Sequence, residues 1–131
     1  MSMHSAQAQS MMAAGLRDRL TLRLLRDSGE APVEVMGFHA QQACEKFIKA
    51  VLVLHGVIFE RTHDLALLSS LCATHRILVP ADLDALRILN SFAVRFRYET
   101  CSVPLFDQLQ ATAMVEELRE WAERELAAAL D

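Results

Sequence analysis

At 131 residues the chain fits one domain, and a hydrophobic content of 53% with four glycines and three prolines excludes a disordered or fibrous chain. A formal net charge of −4 excludes a protein that holds nucleic acid by bulk electrostatics alone, while leaving room for a local basic patch. Cys44, Cys72 and Cys101 are widely spaced, form no CxxC pair and sit among apolar neighbours. That pattern excludes a disulfide framework and a zinc centre and fits buried, reduced thiols.

Residues 1–9 are polar and small and are expected to form a flexible N-terminal segment, with one helical domain over 10–131. From about Ser10 to Asp27, Met12, Leu16, Leu20 and Leu24 recur every four residues, and Arg17, Asp18, Arg19, Arg23 and Arg26 cover much of the other side. This predicts a first amphipathic helix, stopped at Ser28-Gly29. Pro32 then opens a central helix, where its missing N–H costs little, and Gly56 ends that helix after about His55.

The central helix carries two stripes. Met36, Ala40, Ala43, Phe47, Ala50, Val51 and Leu54 make an apolar face at spacings of three and four. Beside it, His39, Gln42, Lys46 and Lys49 make a polar stripe, with Glu45 just beyond its edge. Groups of that kind on the border of a core require water or partners.

Thr62 is the predicted N-cap of a third helix with Leu65, Leu68, Leu71 and Cys72 on one face, fading near His75-Arg76. Asp82, or Pro80 at the first helical position, starts a fourth helix with Leu83, Leu86, Leu89 and Ala93 facing inward. Val94, Phe96 and Tyr98 then alternate with Arg95, Arg97 and Glu99, a period-two pattern without a partner strand, read here as a helix end running into an extended segment. After Pro104 a last helix runs from about Leu105 to Leu130, with Glu116, Glu117, Glu120, Glu123 and Glu125 as its solvated face. Five helices with short connections make an all-α, up-and-down helical bundle. No run approaches the roughly 18–20 apolar residues of a membrane span. With no secretory leader pattern at the start, a cytoplasmic location is expected.

Several residues invite a chemical role. His39 could act as a base, as histidine side chains commonly do, or could be an ordinary hydrogen-bonded structural histidine. Lys46 and Lys49 could meet a phosphate, or could pair with carboxylates and cover core with their stems. Thr62-His63-Asp64 could place His63 in a site, or could simply cap a helix. Arg95 and Arg97 beside Tyr98 form the best basic and aromatic cluster: guanidinium groups fork onto phosphate and a tyrosine stacks on a base. No HxxxH or HxxE spacing sets two metal ligands on one turn, and there is no glycine-rich phosphate loop, so neither a metal nor a cofactor is expected.

Phe38-His39-Ala40-Gln41-Gln42-Ala43-Cys44-Glu45-Lys46, then Arg61-Thr62-His63-Asp64-Leu65, then Leu89-Asn90 and Arg97-Tyr98, follow one another in an order that resembles the HEPN family of small helical domains. The spacing is that of the group found beside minimal nucleotidyltransferases. The resemblance implies a helical bundle that pairs as a homodimer. It also implies a prokaryotic toxin–antitoxin-like role with a minimal nucleotidyltransferase as partner, and a cleft for nucleotide or RNA. His39, Gln42, Lys46, Lys49, His63, Arg95, Arg97 and Tyr98 are the candidate contacts. Nuclease-active members carry an Arg-x(4–6)-His motif, and no arginine here has a histidine at that spacing, so no catalytic residue is assigned. Two alternatives stand beside this reading: a non-catalytic dimeric interaction module, and a divergent metal-independent RNase.

Overall fold

The computed structural model of the protein describes residues 2–93 and 107–130. They form five helices, α1 (Met3–Ser28), α2 (Val33–Leu54), α3 (Leu65–Thr74), α4 (Leu83–Asn90) and α5 (Gln108–Leu130), with no strand among the described residues. The molecule is the expected all-α bundle. The alternating stretch from Val94 to Tyr98, and Cys101, lie outside the described residues.

The central helix is the axis. α2 packs against each of the other four helices, most extensively against α1. Its expected apolar face is buried from Met36 to Val51, with Phe47, Ala50 and Val51 fully so, and only Leu54 at its end is partly exposed. A second face, formed by Cys44, Ile48 and Leu52, is buried as well. A helix enclosed on both flanks leaves one solvent strip, and the His39–Gln42–Lys46–Lys49 stripe occupies it, half-buried. Burying one large aliphatic or aromatic side chain is worth roughly 1.5–3 kcal/mol. Phe47, Ile48 and Leu52 together therefore outweigh any single surface contact in holding α2 in place.

α1 departs from expectation in start and in facing. It begins at Met3, seven residues before the expected Ser10, so residues 3–9 are helical; Ser2 caps it by accepting from the Ser5 N–H, and Ala8 is fully buried. The inward line is Ala8, Met12, Gly15, Asp18 and Leu22, while Leu20 and Leu24 are 44% and 59% exposed. A strict four-residue repeat drifts by about 40° per step on a helix of 3.6 residues per turn, so a face that starts inward at Met12 has rotated away by Leu24. Gly15 permits the close approach of α1 to α2: a Cβ there would lie 2.7 Å from Cε1 of Phe47.

Caps mark the remaining boundaries. Gly29 takes a left-handed conformation at the end of α1 and donates to the Arg26 carbonyl. Asp64, not Thr62, is the N-cap of α3, accepting from the Ala66 and Leu67 N–H groups, and Thr62 accepts in turn from the Asp64 N–H. Asp82 caps α4 as expected, accepting from Ala85. Within α4, Ala85, Leu86 and Leu89 face inward, whereas Leu83 is among the exposed apolar residues. α5 starts at Gln108, and it buries Ala111, Met114, Val115, Leu118, Trp121, Ala122 and Leu126.

Candidate functional site

The solvent strip of α2 is a chain of charged and amide groups anchored by two carboxylates. On the α1 side, Asp18 is enclosed in the seam between α1 and α2, because the inward line of α1 passes over it. His39 Nδ1 donates to Asp18 Oδ1 at 3.0 Å, and the Lys46 ammonium donates to the other oxygen. A carboxylate on α1 that accepts from an imidazole and an ammonium group on α2 is a cross-link between the two helices.

The second anchor is Glu45, whose side chain is only 5% exposed. Lys49 Nζ donates to Glu45 Oε2 at 3.0 Å, one turn along the helix. His63 Nδ1 donates to Oε1 at 2.8 Å from the segment that leads into α3. Gln41 donates through Nε2 both to Glu45 Oε1 at 3.2 Å and to the His63 carbonyl at 2.8 Å, and it accepts from Gln42 at 2.7 Å. Among the described residues no buried side-chain nitrogen or oxygen lacks a partner. A fully satisfied polar network of this kind is rigid, since moving one member would orphan the next.

Two carboxylate–histidine pairs thus flank one helix, each holding Nδ1 and leaving the Nε2 edge of the ring to other partners. His39 is largely enclosed, whereas the His63 side chain is 62% exposed and offers that edge to solvent. The two lysines and two carboxylates cancel in charge. The strip therefore presents oriented hydrogen-bonding groups, and both ammonium charges are spent on internal partners.

Beside the Glu45 anchor a second junction ties α3 to α4. Asn90 Nδ2 donates to Asp64 Oδ1 at 2.7 Å, and its side-chain Oδ1 accepts from the Leu65 N–H at 2.7 Å. His63 and Asp64 are adjacent, so the network on α2 continues directly into this junction. On the opposite flank, Glu116 of α5 accepts from Arg19 of α1 and from Arg119. Burial alone would push the Glu116 carboxyl up, but the hydrogen bonds and charges of the two arginines outweigh it and hold the group below the usual glutamate range. Arg119 is pushed up in return, chiefly by its bonds to Glu116.

The HEPN domain model matches residues 9–129. The chain belongs to the HEPN family. No curated protein and no solved structure matches it. Three of the four stretches that resemble HEPN proteins prove to be neighbours in space: Glu45 on α2 meets His63, and Asp64 meets Asn90. The fourth, Arg97-Tyr98, lies outside the described residues together with Arg95.

Of the other candidates, His39 and Lys46 meet at Asp18, whereas Gln42, Lys49 and His63 belong to the separate cluster around Glu45. Asp18 in the first cluster, Gln41 in the second and Asn90 in the adjoining α3–α4 junction are not among the candidates read from the sequence. No group of three or more His, Cys, Asp or Glu residues among those described could hold a metal ion, and no helix among them is long and apolar enough to cross a membrane. Burial pushes the Cys72 thiol up to about 12, with Glu125 adding to the shift, and drives Cys44 further still; both are inert side chains of the core.

Proposed function

We propose that this HEPN protein is a nucleotide- or RNA-binding subunit that forms a homodimer and acts with a minimal nucleotidyltransferase in a prokaryotic toxin–antitoxin-like pair. The observation that supports the ligand is the strip itself. His63 is exposed yet held in one orientation by a buried glutamate, with Gln42 nearby on the same network. Oriented imidazole and amide groups suit a ribose or base edge, because little side-chain freedom is lost on binding. Lys46 and Lys49 are neutralised internally, so phosphate recognition falls to Arg95 and Arg97, with Tyr98 stacking on a base. The partner and the pairing rest on kinship with the family.

Thermal shift with adenine, guanine, cytosine and uracil nucleotides tests the ligand. A nucleotide at 100 times its Kd stabilises by about 2.7 kcal/mol. A shift that is lost in His63→Ala and Arg97→Ala is the expected result, and no shift with any nucleotide at millimolar concentration would refute the reading.

A second reading has its own support. Glu45 and Lys46 are both fully paired, and Leu20 and Leu24 stand exposed one turn apart on α1. An interaction module that binds no nucleotide would look the same, and it would dimerise normally while giving no shift. The divergent RNase alternative predicts RNA cleavage that survives chelation of metal and is lost in His39→Ala or His63→Ala.

A further inference from the structure

Away from the α2 strip, α1 and α5 enclose a cleft of about 230 Å³. Its floor is apolar, made by Leu22 and Val115, both buried. Its walls are not. Arg19, Arg23 and Arg26 come from α1 at spacings of four and three, so all three lie along one face of that helix and line the same cleft. The α5 wall contributes Thr112 and Glu116.

Three guanidinium groups face a single carboxylate, which leaves the cleft two positive charges in excess on a chain whose formal net charge is −4. Their states differ. Arg19 is committed to Glu116, which Arg119 also holds, so the carboxylate is already neutralised from two sides. Arg26 contacts only its exposed neighbour Asp27, at 3.2 Å, and Arg23 has no ion-pair partner among the described residues. An internal scaffold would use its arginines up, as Arg119 is used by Glu116 and Glu123. Beside a preformed opening, Arg23 is left without an ion-pair partner among the described residues, and Arg26 is held only by the exposed Asp27, which an anion in the cleft can displace.

We propose that this cleft is an anion site that takes the phosphoryl end of a small phosphorylated molecule, with Arg23 and Arg26 as its ligands and Arg19, fixed by Glu116, as its rear wall. Guanidinium forks match the geometry of phosphate oxygens and bind them in pairs. The volume sets the size of what enters. It lies below the roughly 300–1,000 Å³ of clefts that enclose a whole drug-sized ligand, so one or two phosphoryl groups are held and the rest of the molecule lies outside. The site shares no residue with the α2 strip, so it stands or falls independently of the nucleotide reading.

The test is isothermal titration of the purified protein with inorganic phosphate and with pyrophosphate at constant ionic strength. Pyrophosphate is expected to bind the wild type, more tightly than phosphate. Arg23→Gln/Arg26→Gln should weaken it by about tenfold or more, since two charge-assisted contacts are lost. Arg23→Lys/Arg26→Lys keeps the charge but not the fork and should fall between the two. Arg87→Gln, on α4, should bind as the wild type does. Absence of pyrophosphate binding by a folded wild type would overturn the proposal, and so would equal binding by the double glutamine variant. Retention on an anionic polymer without pyrophosphate uptake would overturn it in favour of a macromolecular partner.

Discussion

Removing the Glu45 carboxylate should be among the most damaging single changes to the polar network, and the reason can be worked from its partners. The side chains of Glu45 and Lys49 are 5% and 11% exposed, so Glu45→Ala leaves an ammonium group stranded at the border of the core. Breaking a buried pair from one side costs about 3–5 kcal/mol. Lys49 can shift its tip toward water and retains the Phe59 ring at 5.9 Å, which favours the lower end, about 3 kcal/mol. Gln41 keeps its bond to the His63 carbonyl, and the exposed His63 adds little. For a domain of this size, about 3 kcal/mol lowers Tm by about 10 °C. Lys49→Met should cost less than Glu45→Ala, and the double variant should recover much of the loss, because it leaves no orphan charge. Urea unfolding of the four proteins measures this as a double-mutant cycle. A loss below about 0.5 kcal/mol in Glu45→Ala, or strict additivity in the double variant, would refute the reasoning.

Three other predictions follow from separate parts of the molecule. Gly37→Ala should destabilise by about 1–2 kcal/mol in chemical denaturation: the new Cβ would stand 2.4 Å from Cδ1 and 2.5 Å from Cγ of the buried Phe92 ring, and the overpacking exceeds the gain in helix propensity. Because the Glu116 carboxyl is held below its unfolded value, its contribution is present above the unfolded pKa of about 4.3 and is lost as pH falls through the lower folded value. Glu116→Gln should therefore be less stable than wild type at pH 7, by under about 1 kcal/mol given the one-third exposure of Glu116 and Arg19, and the gap should close in acid unfolding curves below about pH 4. Cys44 and Cys72 should stay unlabelled by a thiol reagent at pH 8 in the folded protein and become labelled in urea, as read by peptide mass spectrometry.

The bundle was legible because its signals are local. The α2 face repeats at helical spacing, Asp82 announces α4, and Gly29 ends α1 where expected. The network was legible only in half. His39, Gln42, Lys46 and Lys49 could be read from one helix, but Asp18 looked like one more charge on an arginine-rich surface, and its partners lie 21 and 28 residues away. Nothing local to α1 distinguishes an aspartate that faces a histidine from one that faces water. Asn90 escaped for the same reason, since its partner Asp64 is 26 residues distant. At α3, Thr62 and Asp64 are both good caps, and the choice between them follows from where Leu65 must be buried. For Lys46 and Lys49 the sequence leaves phosphate contact and carboxylate pairing both open; Lys49 pairs with Glu45 one turn away on its own helix, while the partner of Lys46 is the distant Asp18.

The central claim, that the polar strip of α2 is a nucleotide surface, is tested most directly by nuclear magnetic resonance of the folded protein labelled on its histidine and glutamine side chains. Titration with a mixture of mononucleotides, then with a short single-stranded RNA, should shift the His63 and Gln42 signals first and His39 after them, saturating together. Shifts confined to other parts of the molecule, or none at saturating ligand, would contradict it.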